Sequence, residues 1–141
     1  MNEVDQELAR AWFRKAENDL LGARNNLTAK DIPYDVVCFH CQQAAEKYLK
    51  GFLAWSGYPF ERTHDLERLV ELCAESVPEL SAIRDEANLL TDYAVGIRYP
   101  DSLDEPTPEQ TNTALNAAMS IRQSVLKALL SKGFVPSMEQ G

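Results

Sequence analysis

The stretch Cys38-Phe39-His40-Cys41-Gln42-Gln43-Ala44-Ala45-Glu46-Lys47-Tyr48-Leu49-Lys50 decides how this chain folds. It reads as one helix with two unlike faces. Cys38, Cys41, Ala45, Tyr48, Leu49 and Phe52 recur every three or four residues and share an apolar side. His40, Gln43, Lys47 and Lys50 recur at the same spacings and share a polar side. An imidazole, an amide and two ammonium groups in one row form a surface able to hold an anion. On composition alone, the competing reading is an ordinary solvated helix face.

Breakers set the bounds of the helices on either side. Asp31 and Pro33 precede the central helix, which spans Pro33–Asp35 to Trp55 and stops at Ser56-Gly57-Tyr58-Pro59. Upstream, Asp5 to Leu27 carries Leu8, Trp12, Ala16, Leu20, Ala23 and Leu27 as one stripe. Downstream, Leu66, Leu69, Val70 and Cys73 mark a short helix, with Thr63 or Asp65 as its cap.

A fourth helix starts at Ser76-Val77-Pro78-Glu79 with capping-box spacing. It runs through Leu80, Ile83, Ala87, Leu90, Ala94 and Ile97 to Tyr99, where Pro100 ends it. After an acidic loop from Asp101 to Pro106, Thr107-Pro108-Glu109-Gln110 opens a fifth helix. Leu115, Ala118, Met119, Val125, Leu126 and Leu129 form its buried side, and Gly133 and Pro136 end it. No segment alternates with a period of two. The expectation is an all-α protein: an antiparallel four-helix bundle with one additional short helix, over residues 5–132, followed by a frayed tail, 133–141.

The 141 residues suit one domain, and 45% hydrophobic with 26% charged residues is ordinary for a globular chain. No apolar run approaches a membrane span, and Glu3, Asp5 and Glu7 stand where a secretory signal has basic residues. A cytoplasmic protein without a membrane partner is expected. A net charge of −8 opposes loose, sequence-independent binding to nucleic acid. The three cysteines, Cys38, Cys41 and Cys73, do not suggest a disulfide framework. Cys38-x-x-Cys41 lacks the second ligand pair of a structural zinc site, so the two thiols read as small apolar core groups. No metal and no cofactor is expected. Phe13, Leu21, Phe39 and Trp55 lie outside the main stripes and suggest an apolar patch for a homodimer.

Three separated motifs give the chain a resemblance. The run from Cys38 to Lys50, then Thr63-His64-Asp65-Leu66, then Tyr93 with Arg98-Tyr99-Pro100, in that order, resembles a HEPN domain, a nucleotide-binding domain of higher eukaryotes and prokaryotes. The resemblance covers nearly the whole chain and implies a bundle of about five helices. It also implies homodimers and, for small prokaryotic members, a minimal nucleotidyltransferase partner in toxin–antitoxin-like pairs.

The family's metal-independent RNA cleavage uses an arginine followed by a histidine after four to six intervening residues. After Arg98 those positions hold Leu103, Asp104 and Glu105, and Arg62 stands too close to His64. The catalytic motif is absent as written, so no catalytic residue is assigned. The resemblance places Arg98 at the family's active or binding face. As a helix-terminal cation it equally well opposes the macrodipole.

The function expected is a non-catalytic module that binds a nucleotide, RNA or a partner nucleotidyltransferase. Its binding residues would be His40, Gln43, Lys47, Lys50 and Arg98. The alternative is a ribonuclease toxin with a degenerate motif, using His40 or His64 with Arg98.

Overall fold

The computed structural model describes residues 3–58, 62–94 and 105–136. Within them the protein is all-α, with five α-helices and no strand: α1 Glu3–Leu27, α2 Tyr34–Trp55, α3 Leu66–Ala74, α4 Arg84–Thr91 and α5 Pro108–Ser131. A 3-10 helix, Pro78–Ile83, joins α3 to α4.

Helix α2 is the centre of the structure. It packs against α1, α3, α4 and α5, and every residue from Tyr48 to Trp55 is buried. A helix packed by four others keeps little solvent face, here the first turn with Asp35 and Val36. The two-faced reading therefore needs correction. Gln42, Glu46 and Lys50 are buried at 0%, 4% and 8% exposure, although all three are polar. Lys47, His40 and Gln43 are only half-buried.

Helix α1 forms where expected and buries Ala16, Leu20 and Ala23 of the expected stripe, but Ala9 and Phe13 take the inner positions in place of Leu8 and Trp12. Its buried residues are Ala9, Phe13, Ala16, Leu20 and Ala23, while Leu8 is 48% exposed and Trp12 and Leu27 pack at the edge. The cause lies in residue size. Ala9, Ala16 and Ala23 stand seven residues apart and let α1 approach α2 closely, and Phe13 fills the contact against Gly51. Phe13 and Trp55, assigned above to an outer patch, thus belong to the core at 0% and 6% exposure, whereas Leu21 is exposed.

The fourth helix is the main departure. Val77, not Ser76, precedes the first turn, and no side chain caps it. Ser76 Oγ instead donates to the Cys73 carbonyl at 3.3 Å, closing α3. The segment then winds as a 3-10 helix, which aligns positions three apart and buries Leu80 and Ile83 together. Helix α4 follows and ends at Thr91 rather than Tyr99. Ile97, Arg98 and Tyr99 lie outside the described residues. The bundle thus has three long helices, with α3, the 3-10 turn and α4 forming the remaining side.

Other local expectations hold. Asp65 accepts from the backbone N–H groups of Glu67 and Arg68 and caps α3. Thr107 and Gln110 form a reciprocal capping box on α5, at 2.9 and 3.0 Å. Gly57, at φ +70°, turns the chain out of α2. Of the tail beginning at residue 133, Phe134 is tied down. It is buried, stacks near Trp55 at 5.7 Å, and carries the Arg10 guanidinium over its ring.

The α1–α2 approach predicts a contrast between two glycines. A Cβ at Gly51 would meet Phe13 Cε1 at 2.5 Å, whereas one at Gly22 would sit in ordinary contact, 3.7 Å from the His40 ring. Gly51→Ala should cost about 1–3 kcal/mol by overpacking. Gly22→Ala should gain about 0.5–1 kcal/mol from the helix interior. Thermal or urea unfolding of both variants checks the signs. Phe13→Leu in the Gly51→Ala background should recover part of the loss.

A buried polar seam as candidate functional site

Burying the polar side of α2 removes its groups from water, so each charge needs an internal partner. The structure supplies two carboxylates. Asp19 of α1 accepts from Lys47 Nζ at 2.5 Å through Oδ2 and from His40 Nδ1 at 2.9 Å through Oδ1. Glu46 of α2 accepts from Lys50 Nζ at 3.0 Å, from Gln42 Nε2 at 3.2 Å and from His64 Nδ1 at 2.8 Å. Gln43 Nε2 donates to Gln42 Oε1 at 2.7 Å and joins the same network. The Lys50 ammonium also lies 5.7 Å from the centre of the Trp12 ring.

Glu46 shows the balance of forces. Burial pushes its carboxyl up, but the hydrogen bonds from His64, Lys50 and Gln42 and the Lys50 charge more than reverse this. The net shift is below the ordinary glutamate value. Glu46 is therefore an anion at neutral pH.

A second cluster ties three helices together. Tyr48 Oη and Arg122 Nε both donate to Glu17 Oε1 at 2.6 Å. Burial, then the neighbouring Glu17 carboxylate, raises the Tyr48 phenol. Burial opposes the charge on Arg122, but Glu17 outweighs it and raises the guanidinium as well.

The expected row of His40, Gln43, Lys47 and Lys50 does lie on one side of α2. Each member has a partner within the chain: His40 and Lys47 on Asp19, Lys50 on Glu46 and Gln43 on Gln42. Arg98, the fifth expected binding residue, lies outside the described residues. The sequence reading missed Asp19, Glu46, Glu17 and Arg122. Only the Glu46–Lys50 pair carried a local signal, its four-residue spacing on one helix.

The cysteines are core groups, as expected. All three are buried, and burial pushes the Cys41 thiol up to about 12 and raises Cys73 as well. Among the described residues no cluster of three His, Cys, Asp or Glu side chains could hold a metal ion.

The helical fold finds a counterpart among known proteins. A model of the HEPN domain family matches residues 9–130. The chain belongs to the HEPN family. The crystal structure of an archaeal HEPN homologue superposes with a TM-score of 0.67 at 28% identity, covering 86% of this chain and 97% of that one. No curated protein matches. The HEPN match spans α1 through α5 and so includes both carboxylates of the seam.

Two outcomes follow from the electrostatics. The folded value of Glu46 lies below its unfolded value, so its contribution is complete above the ordinary glutamate range, about 4.3. It is lost as pH falls through the lower folded value. Glu46→Gln should cost about 1–3 kcal/mol near neutrality, and urea midpoints of the two proteins should converge in acid. Asp19→Asn removes the carboxylate that pairs with His40 and Lys47. Calorimetric titration with inorganic phosphate should then show tighter, more salt-sensitive binding than wild type.

Proposed function

We propose that this HEPN chain is a binding module without ribonuclease activity of its own. The carrying observation is the placement of its two histidines relative to arginine. Neither His40 nor His64 follows an arginine at the family's spacing. An Arg–His pair of the cleaving kind needs a proton-transfer group beside its phosphate-binding cation. The sequence after Arg98 offers Asp101, Asp104 and Glu105 instead, which repel phosphate.

The ligand in this reading is a nucleotide or short RNA, held by Lys47, Gln43 and Arg98. The partner is a minimal nucleotidyltransferase in a toxin–antitoxin-like pair. The resemblance to small prokaryotic HEPN proteins supports that partner. The module acts as a cytoplasmic homodimer. Exposed Leu8, Leu21 and Val36 support a second copy, and no helix among the described residues is long and apolar enough to cross a membrane.

One observation favours a second reading, a ribonuclease with a degenerate motif. The His64 side chain is 69% exposed and is oriented by Glu46. The two readings separate in one assay, incubating structured and single-stranded RNA with wild type, His40→Ala, His64→Ala and Arg98→Ala. The binding reading expects intact RNA throughout, with salt-sensitive nucleotide binding weakened several-fold by Lys47→Ala or Arg98→Ala. Cleavage by wild type that vanishes in Arg98→Ala and in one histidine variant would establish the ribonuclease instead.

A further inference from the structure

Helix α5 carries its small residues on one side. Thr113, Ala117, Ser120, Ser124, Ala128 and Ser131 recur every three or four positions. That side faces α4 and the 3-10 helix, which do not fill it. Three cavities open along it, of about 520, 320 and 440 Å³. The first two share Leu89 and Thr113, and the second and third meet α5 one turn apart, at Ser120 and Ser124. End to end they form a groove from Glu109 to Ser131, about 33 Å long at the helical rise. Its second wall is made of short pieces, the six-residue 3-10 helix and the eight residues of α4, against the 24 of α5.

One sign of charge dominates the lining. Glu79, Asp85, Glu86 and Glu109 stand there against Lys127. None of the four carboxylates pairs with a cation among the described residues, and Arg84, beside Asp85, turns to Glu67 instead. One oxygen of Glu86 is shut from water and has no hydrogen-bond partner. Buried polar atoms are nearly always paired, because an unpaired one bears its full desolvation cost. Leu89 lies where the first two cavities join and is 40% exposed, one turn beyond Asp85 and Glu86.

These features specify an occupant. Small residues on one wall let a second helix backbone come close. The length suits about six helical turns. An exposed leucine asks for an apolar contact, and unmatched carboxylates select cations and repel a nucleotide. We propose that this groove docks an amphipathic helix of a protein partner. Its leucine-like residues sit on Leu89, and its lysine or arginine residues meet Asp85 and Glu86. None of His40, Gln43, Lys47 and Lys50 lines the groove, so docking here stands apart from the nucleotide reading.

The test uses the full chain and a fluorescent synthetic helix of about 20 residues with leucine and lysine on one face. The control peptide has glutamate in place of every lysine. Anisotropy should show binding of the first and none of the second. Asp85→Asn combined with Glu86→Gln should weaken binding about tenfold. Leu89→Ser should weaken it several-fold. Thr113→Arg sets a cation where two cavities meet and should abolish it. Glu3→Gln combined with Glu7→Gln makes the same change of net charge on α1 and should alter affinity by less than about twofold. Circular dichroism confirms that each variant keeps its fold.

Equal weakening by the α1 pair would reduce the binding to attraction by net charge and overturn the docking site. So would a lysine peptide that fails to bind, or one that binds and leaves the amide resonances of α4 and α5 unmoved. Self-association of the chain that Thr113→Arg abolishes would give the groove to a second copy and overturn the assignment to a different protein.

Discussion

Helix α2 packs against every other α-helix among the described residues, and this constraint orders the rest. An enclosed helix can carry charges only if each is matched inside the fold, because an unpaired buried charge costs several kcal/mol. Glu46 and Lys50 match each other on one helix. Lys47 cannot be matched from within α2 and reaches Asp19 of α1. The pairings therefore fix the rotation of α1 about its axis, together with the steric fit of Phe13 against Gly51. A register centred on Leu8 and Trp12 would bring Asp19, seven positions after Trp12, from the edge to the middle of the contact and would move Phe13 off Gly51. The steric fit selects the observed rotation and the pairings are compatible with it, the agreement between levels that gives a chain one structure.

The same constraint limits what the seam can do. A row of lysine, histidine and glutamine at helical spacing suggests an anion site. Its field is local, though, and Asp19 and Glu46 cancel most of it at contact distance. An incoming phosphate must compete with a carboxylate already in place. Binding there would require exchange of Asp19 for the incoming anion at Lys47. A chain with a net charge of −8 gives no long-range attraction to aid that exchange.

How much of this was legible in the sequence depended on the range of the forces involved. Helix ends are set by neighbours in the chain. The Thr107–Gln110 box, the Asp65 cap and the Gly57 turn could thus be read directly. The buried face of α1, Ala9, Phe13, Ala16, Leu20 and Ala23, has the same three- and four-residue spacing as the stripe through Leu8 and Trp12, so period alone does not choose between them, and the fit of Phe13 against Gly51 in another helix does. Ser76 and Glu79 had the spacing of a cap, but the carbonyl left free at the end of α3 took the Ser76 hydroxyl. Of the site, the cationic members were visible as a row and their counter-ions were not. Asp19 is separated from Lys47 by 28 positions and His64 from Glu46 by 18, and pattern alone cannot join such pairs.

The Glu46–His64 contact weighs unequally on its two partners. Lys50 alone would satisfy the charge of Glu46, and Gln42 adds a neutral hydrogen bond. The imidazole is thus a third donor, reaching in from a connection whose own ring remains open to water. Its contribution to stability is bounded by that exposure, since an exposed partner is screened. Its effect on the ring is not bounded in the same way, because the contact at Nδ1 orients the imidazole however exposed the far edge is. The buried carboxylate therefore does more to orient His64 than His64 does to hold the fold. That asymmetry separates His64, open to water on one side, from the row beside it, whose members are half-buried or buried.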